Sequence, residues 1–176
     1  MTVDLSTGRL ALATPTVSRA VAVPAEWLAQ AVAALGANAG PLAASLAAAV
    51  AADARAMLAG DADPSPEACA SAVALALAQR GLGTCSFGRF GDALTLTWSA
   101  PPSAEPAFHA FASDLVAAVV SAVTGLATHA AVAGHAGDTL TLFLGSEPAC
   151  TFVRERAARG EGSASILATL LGATSA

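Results

Sequence analysis

Lysine and tyrosine are both missing from this sequence of 176 residues, and charged residues make up only 12% of it. The eight basic residues are therefore all arginine, and the formal net charge is −5. Only Arg154, Arg156 and Arg159 lie close together, and we interpret them as a solvated strand end or helix start. A nucleic-acid partner requires a basic stripe that neutralises phosphates, so the composition predicts no binding to nucleic acid.

An export signal and long apolar runs are also missing. Residues 1–19 include Asp4, have no basic start and contain no continuous apolar stretch. The most apolar candidate, residues 41–52, is shorter than the roughly 20 residues that a membrane helix needs. These absences predict a cytoplasmic rather than a periplasmic location, and no membrane insertion.

Cysteine is scarce, and its three positions fit no metal-binding spacing: Cys69, Cys85 and Cys150. An odd number of cysteines in a reducing compartment is typical of buried thiols. The sequence therefore predicts reduced cysteines and neither a metal nor a cofactor.

Catalytic groupings are equally scarce. No two of the three histidines have the helical spacing of a metal site: His109, His129 and His135. His135 and Asp138 flank a glycine turn and could form a carboxylate–imidazole pair, but nothing in the spacing brings a nucleophile to them. The nucleophiles considered are Cys85, Ser86 and Cys150. The glycines at 81, 83, 88 and 91 form no phosphate-binding fingerprint, so we predict a protein that is not an enzyme.

Hydrophobic periodicity predicts an α+β fold, with amino-terminal helices, an antiparallel sheet of about four to five strands and a long helix packed on it. Residues 1–23 are expected to form a flexible or loosely docked arm, and residues 24–176 a single domain. Helical spacing covers residues 24–35, 41–59, 65–80, 106–124 and 163–171. Alternation predicts strands at residues 84–90, 93–98, 128–133, 139–144 and 149–154, with a hairpin turn at Gly91-Asp92.

The long predicted helix at residues 106–124 is apolar on two faces. A helix that is apolar nearly all round is buried on both sides, so one face could meet the sheet and the other a neighbouring subunit. This pattern predicts a homo-oligomer, a dimer or larger. The predicted interface residues are Phe111, Leu115, Val116, Val119, Val120 and Val123.

A family resemblance rests on the segment Gly81-Leu82-Gly83-Thr84-Cys85-Ser86-Phe87, followed by Leu94-Thr95-Leu96-Thr97-Trp98. These segments and the order of elements resemble the cellulose synthase D proteins of bacterial cellulose operons and the wider fold of vinyl-reductase-like and TRAPP-type domains. The cellulose synthase D proteins have a tryptophan where this chain has Leu82. The turn at residues 134–138 also resembles them, whereas residues 145–152 look like the Gly…Cys-x-Phe end of vinyl-reductase-like domains.

The resemblance implies a non-catalytic accessory subunit of cellulose biosynthesis. Such proteins form closed oligomers and help to organise glucan export and crystallisation, so the implied partners are other copies, cellulose synthase complex proteins and glucan chains. We expect Trp27 and Trp98 to lie in the core, which leaves a polar glucan contact in the amino-terminal arm. The residues predicted for that contact are Thr2, Ser6 and Thr7.

The alternative function is a small-ligand-binding or sensory module of the vinyl-reductase-like kind. In that case Cys150 could face a pocket between the sheet and a helix, although a buried structural cysteine also fits its sequence context. The sequence leaves both functions open.

Overall fold

The computed structural model describes residues 2–4, 9–11, 24–90 and 93–174 of the chain. It has an α+β fold, which confirms the predicted fold class. The helices are α1 (Ala25–Leu35), α2 (Gly40–Met57), α3 (Pro66–Gln79), α4 (Pro106–Thr124), α5 (Glu147–Ala158) and α6 (Ser163–Thr174), with a 3-10 turn, Gly36–Ala39, between the first two. The strands are β1 (Thr2–Asp4), β2 (Arg9–Ala11), β3 (Thr84–Phe90), β4 (Ala93–Ser99), β5 (His129–Ala136) and β6 (Thr139–Gly145).

Two hairpins form the four-stranded antiparallel sheet, in the order β3-β4-β6-β5. Within the first hairpin Thr84 pairs with Ser99, and across the sheet centre Leu96 pairs with Leu142. The strands β3 and β5 lie at the two edges. The predicted turn Gly91-Asp92 lies outside the described residues, but the pairing on either side of it agrees with a hairpin.

The amino-terminal strands β1 and β2 pair antiparallel with each other. The rest of the predicted arm within residues 1–23 lies outside the described residues. The prediction that this segment is flexible therefore stays a prediction.

Helix α4 packs between the sheet and helix α2, and it forms the centre of the main hydrophobic core. On its far side the guanidinium of Arg55 in α2 donates through Nε to the carbonyl oxygen of Ala122, at 3.0 Å. Inside the core the rings of Phe108 and Phe111 lie 5.1 Å apart, and Trp98 of β4 meets Phe108 edge-on.

This arrangement corrects the inference of a subunit interface on α4. Five of the six predicted interface residues are buried inside the single chain, and Val123 is half-buried and packs against the same core. One apolar face meets β5 and the other meets α2, so both are covered without a second copy. Buried within the chain are Phe111, Leu115, Val116, Val119 and Val120.

The predicted strand at residues 149–154 is wrong, because this segment belongs to helix α5. Pro148 falls in the first helical turn, where its missing N–H costs nothing. Cys150 and Val153 are the buried residues of this helix, and their separation of three positions is a helical spacing rather than an alternating one. Helices α5 and α6 form a second core against the other face of the sheet, which contains Ala131, Ala133, Phe143, Ile166 and Leu167.

Two helical stretches are long and apolar enough to cross a membrane: Ala25–Met57 and Pro106–Thr124. The second is the core helix α4, and core helices of soluble proteins can also be this long and this apolar. The candidate stretch at residues 41–52 lies within the first. The expectation that the chain does not insert into a membrane stays a prediction.

The entry into β3 depends on backbone geometry that only glycine provides. Gly83 has a φ of 93°, and a Cβ there would lie 2.6 Å from the carbonyl oxygen of Ser99 and would also clash with that of Ala100. Beside it, the indole Nε1 of Trp98 donates to the carbonyl oxygen of Leu82 at 2.5 Å. Trp98 is therefore a core residue, as predicted, whereas Trp27 is 56% exposed, contrary to expectation.

We predict that Gly83→Ala lowers the free energy of unfolding by more than about 2 kcal/mol, because it adds a backbone clash to the strain of a positive φ. Gly81→Ala is the matched control, since Gly81 has a φ of 71° but nothing lies within 4 Å of a Cβ added there. In that control the free energy of unfolding should fall by only about 1 kcal/mol. Urea unfolding measures both, and equal losses would contradict the argument from the close approach.

Candidate functional site

A groove of about 640 Å³ lies between helix α3 and the edge strand β3. Its size is within the usual range for small-molecule sites. Helix α3 contributes Pro66, Glu67, Ala70, Ser71 and Ala74, and the hairpin contributes Cys85, Ser86, Phe87, Gly88, Arg89 and Leu94.

A second, smaller cavity of about 210 Å³ adjoins the groove and reaches toward α4. The two adjoin, because they share four lining residues: Pro66, Ala70, Phe87 and Leu94. The inner cavity is lined largely by apolar groups, among them Val73 and Val120, whereas the outer groove carries Glu67, Ser71 and Arg89. Polarity therefore decreases from the outer groove to the second cavity.

Helix α3 is the wall that creates this space. It begins where the Oγ of Ser65 accepts a hydrogen bond from the backbone N–H of Ala68 at 3.1 Å, with Pro66 in the first turn. The residues that face β3 from this helix are small. Because Ala70 and Ala74 carry only a methyl group, the helix and the strand cannot close the gap between them with side chains.

A buried ion pair fixes the far end of α3. Asp53 of α2 is fully buried, and its Oδ2 accepts from Nε of Arg80 at 2.7 Å. The Nη2 of Arg80 also donates to the carbonyl oxygen of Ala49, at 3.2 Å. The guanidinium thus ties the end of α3 to α2, and with it the position of the groove wall.

The strand β3 supplies the opposite wall. Cys85 and Phe87 alternate toward the core side and pack against it, and Arg89 follows on the same face. Burial raises the pKa of the Cys85 thiol from 9.0 to about 12. The thiol is therefore protonated at neutral pH and is a poor nucleophile.

Cys150 has a similar character on the other side of the sheet. Burial raises the pKa of its thiol to about 11, and the nearby Arg154 counteracts that effect only in part. It lies in the second core against β5 and β6, away from the groove. The expectation that Cys150 could face a ligand pocket therefore finds no support among the two cavities described, which it does not line.

The three histidines lie on α4 and β5. The ring of His135 lies 5.5 Å from that of His109, and in the described part of the chain no ion pair joins His135 to Asp138. His129 instead contacts the carboxylate of Glu147 through Nδ1, at 2.8 Å. Among the described residues, no three histidine, cysteine or acidic side chains form a group that could hold a metal ion.

The clustered arginines lie on or beside α5, and two of them are paired. Arg154 bonds to Glu147 at 2.5 Å, and Arg156 bonds to Glu161 at 2.8 Å. They stand on a helix and not on a strand, and neighbouring carboxylates offset two of the three charges.

The residues predicted to contact glucan are described only in part. The backbone of Thr2 belongs to β1, and Ser6 and Thr7 lie outside the described residues. The groove itself was not predicted. Its signal in the sequence is a helix face of small residues at positions 70, 71 and 74, followed by a strand whose core-facing side carries Cys85, Phe87 and Arg89.

Comparison of the chain with protein-family models, with curated proteins and with solved structures finds no match in any of the three.

We predict that the free energy of unfolding falls as the pH rises above about 9. Between that pH and the raised pKa of about 12, the folded chain keeps the Cys85 proton that the unfolded chain loses, so alkali favours unfolding. The chain has no lysine and no tyrosine, so cysteine is the side-chain type that titrates in this window.

Urea unfolding from about pH 8 to pH 11 measures this slope. In the double variant Cys85→Ala/Cys150→Ala the decline should become shallower, whatever the variant's stability at neutral pH. An unchanged slope would contradict the assignment to these thiols.

Proposed function

We propose that this protein is a binding module that takes a small, largely apolar ligand into the space between α3 and β3. The observation that carries the proposal is that the outer groove adjoins a second, more apolar cavity, lined by Cys69, Val73 and Val120 among others. Concave sites with an apolar interior and a few polar groups at one end are the usual form of small-ligand sites.

Burial of apolar surface supplies the driving force. Leu94 lines both cavities yet remains 36% exposed, so a ligand in the groove would cover it. Each square ångström of apolar surface removed from water contributes about 25 cal/mol. The protonated thiol of Cys85 is a small apolar group in this setting and adds to the same lining.

The function is non-catalytic in this proposal, and a reducing, cytoplasmic location suits it. The three cysteines are free, and Cys85 faces the ligand space without a neighbouring base, among the described residues, that would activate it. A sensory role would follow if ligand binding changed how α3 or β3 contacts a partner.

A second candidate is the accessory subunit of cellulose biosynthesis, and the outer face of the first hairpin favours it. Thr84 pairs with Ser99, and Ser86 pairs with Thr97, so their hydroxyls form rows across two strands. The side chains of Thr84, Ser86 and Thr97 are exposed and make no hydrogen bond to the described parts of the chain. Uncharged hydroxyls in rows suit a hydroxylated polymer such as glucan.

The accessory function also requires assembly with other copies or with the synthase complex. Because α4 is covered within the chain, the remaining apolar surface includes Trp27 and Leu35 of α1 and Leu75 of α3, which are all exposed. Repeated weak contacts through such residues could hold an oligomer together.

We predict that the neutral, apolar dye Nile red binds the protein at one saturable site, and that Ala70→Leu weakens this binding on the order of tenfold or more by filling the groove. Ala78→Leu is the matched control, because Ala78 lies on the exposed side of the same helix and lines neither cavity. Fluorescence titration measures both. Equal effects of the two variants, or no saturable binding, would contradict the proposed site.

For the accessory function, we predict that the protein sediments with amorphous cellulose and that Ser86→Ala/Thr97→Val reduces the bound fraction. Ser165→Ala on the exposed side of α6 is the control. Light scattering should then show a dimer or larger. A monomer that does not sediment with cellulose would exclude this candidate and leave the small-ligand module.

A further inference from the structure

Arg89 is an exposed, positively charged residue among those that line the outer groove. It lines the outer groove on the same face of β3 as Phe87, and it makes no ion pair or hydrogen bond within that part of the chain. Arg80, by contrast, forms an ion pair with Asp53, with 2.5 Å between Nη2 and Oδ2. We propose that the ligand is an anionic amphiphile whose head group pairs with Arg89 and whose tail fills the inner cavity.

This inference rests on the proposed small-ligand function and names its ligand class. The decreasing polarity of the space sets the orientation. A tail that lies between Phe87 and Val73 would contact Val120, which offers no charge, while the head would stay beside Arg89 in the outer groove. A ligand that is apolar at both ends would make no contact with the charge of Arg89, and a compact anion would leave the inner cavity empty.

The charges around the mouth favour one head group over others. The chain as a whole is acidic, with a net charge of −5, so an anion is attracted only where the local charge is positive. The amino terminus of α3 reaches the same groove through Pro66, and helix amino termini favour negative charge.

Glu67 is the opposing charge at the mouth. It lies in the first turn of α3, where the helix dipole stabilises a carboxylate, so its position has a structural explanation without a ligand. Glu67 would weaken anion binding in the groove, so its removal should strengthen that binding.

Decanoate and decanol form the matched pair of probes, because they share a tail and differ in the charge of the head. Titration calorimetry with the full chain should show decanoate binding on the order of tenfold more tightly than decanol, the usual size of a charge-assisted hydrogen bond. In Arg89→Gln the affinities for decanoate and decanol should become equal while the affinity for decanol stays the same. Arg89→Lys should keep most of the preference for decanoate, and Glu67→Gln should increase that preference.

The outcomes separate the two proposals. If decanol and Nile red bind but decanoate binds no more tightly, or if Arg89→Gln leaves the difference intact, the anionic head group is excluded and the apolar site stands. If neither decanol nor decanoate binds and Nile red does not saturate, both proposals are excluded. Unchanged decanol binding in each variant shows that the variant is folded. The decanoate preference should also shrink as salt is added, because the pair lies at the open mouth.

Discussion

A single buried carboxylate determines where helix α3 lies, and the groove depends on it. Asp53 has no exposed surface, so its charge requires a partner inside the protein. Arg80, at the end of α3, provides two contacts to that carboxylate and a third to the backbone of α2 at Ala49. Because removal of one partner would strand a buried charge, this pair holds the end of α3 against α2. The small side chains of Ala70 and Ala74 then leave the gap open.

The central position of α4 explains a second feature, which is that a helix with two apolar faces is buried within one chain. A helix with two apolar faces needs two partners, and a second copy is only one way to supply them. Here the helix α2, itself rich in alanine, lies close enough to cover the face that the sheet leaves free. Alanine at positions 43, 47 and 54 allows that close approach. A contact between copies would have to use α1 or the outer part of α3 instead.

Much of the fold could be predicted from the sequence, because its elements have sharp local signals. Proline at 66 and 106 and glycine at 125 mark helix ends where the structure has them, and the alternation around Leu96 and Trp98 predicts β4. The prediction of a strand at residues 149–154 was wrong because the segment has conflicting signals. Thr151 and Val153 favour a strand, whereas the proline at 148 and the burial of Cys150 together with Val153 favour a helix. Tertiary packing against β5 decided that conflict.

The groove could not be predicted in the same way, since it is an absence of side chains between two elements that are separated in the sequence. Neither Ala70 nor Phe87 alone indicates a cavity in the sequence. The two elements that border the space are positioned by residues elsewhere: the Arg80–Asp53 ion pair holds the end of α3, and the close approach of Gly83 to Ser99 positions the start of β3. Its chemistry follows from the same burial that formed it. Burial keeps the thiol of Cys85 protonated, so this wall of the groove is unreactive. In the proposed function, Arg89 is then the charged group beside that wall that would select a ligand by its head group.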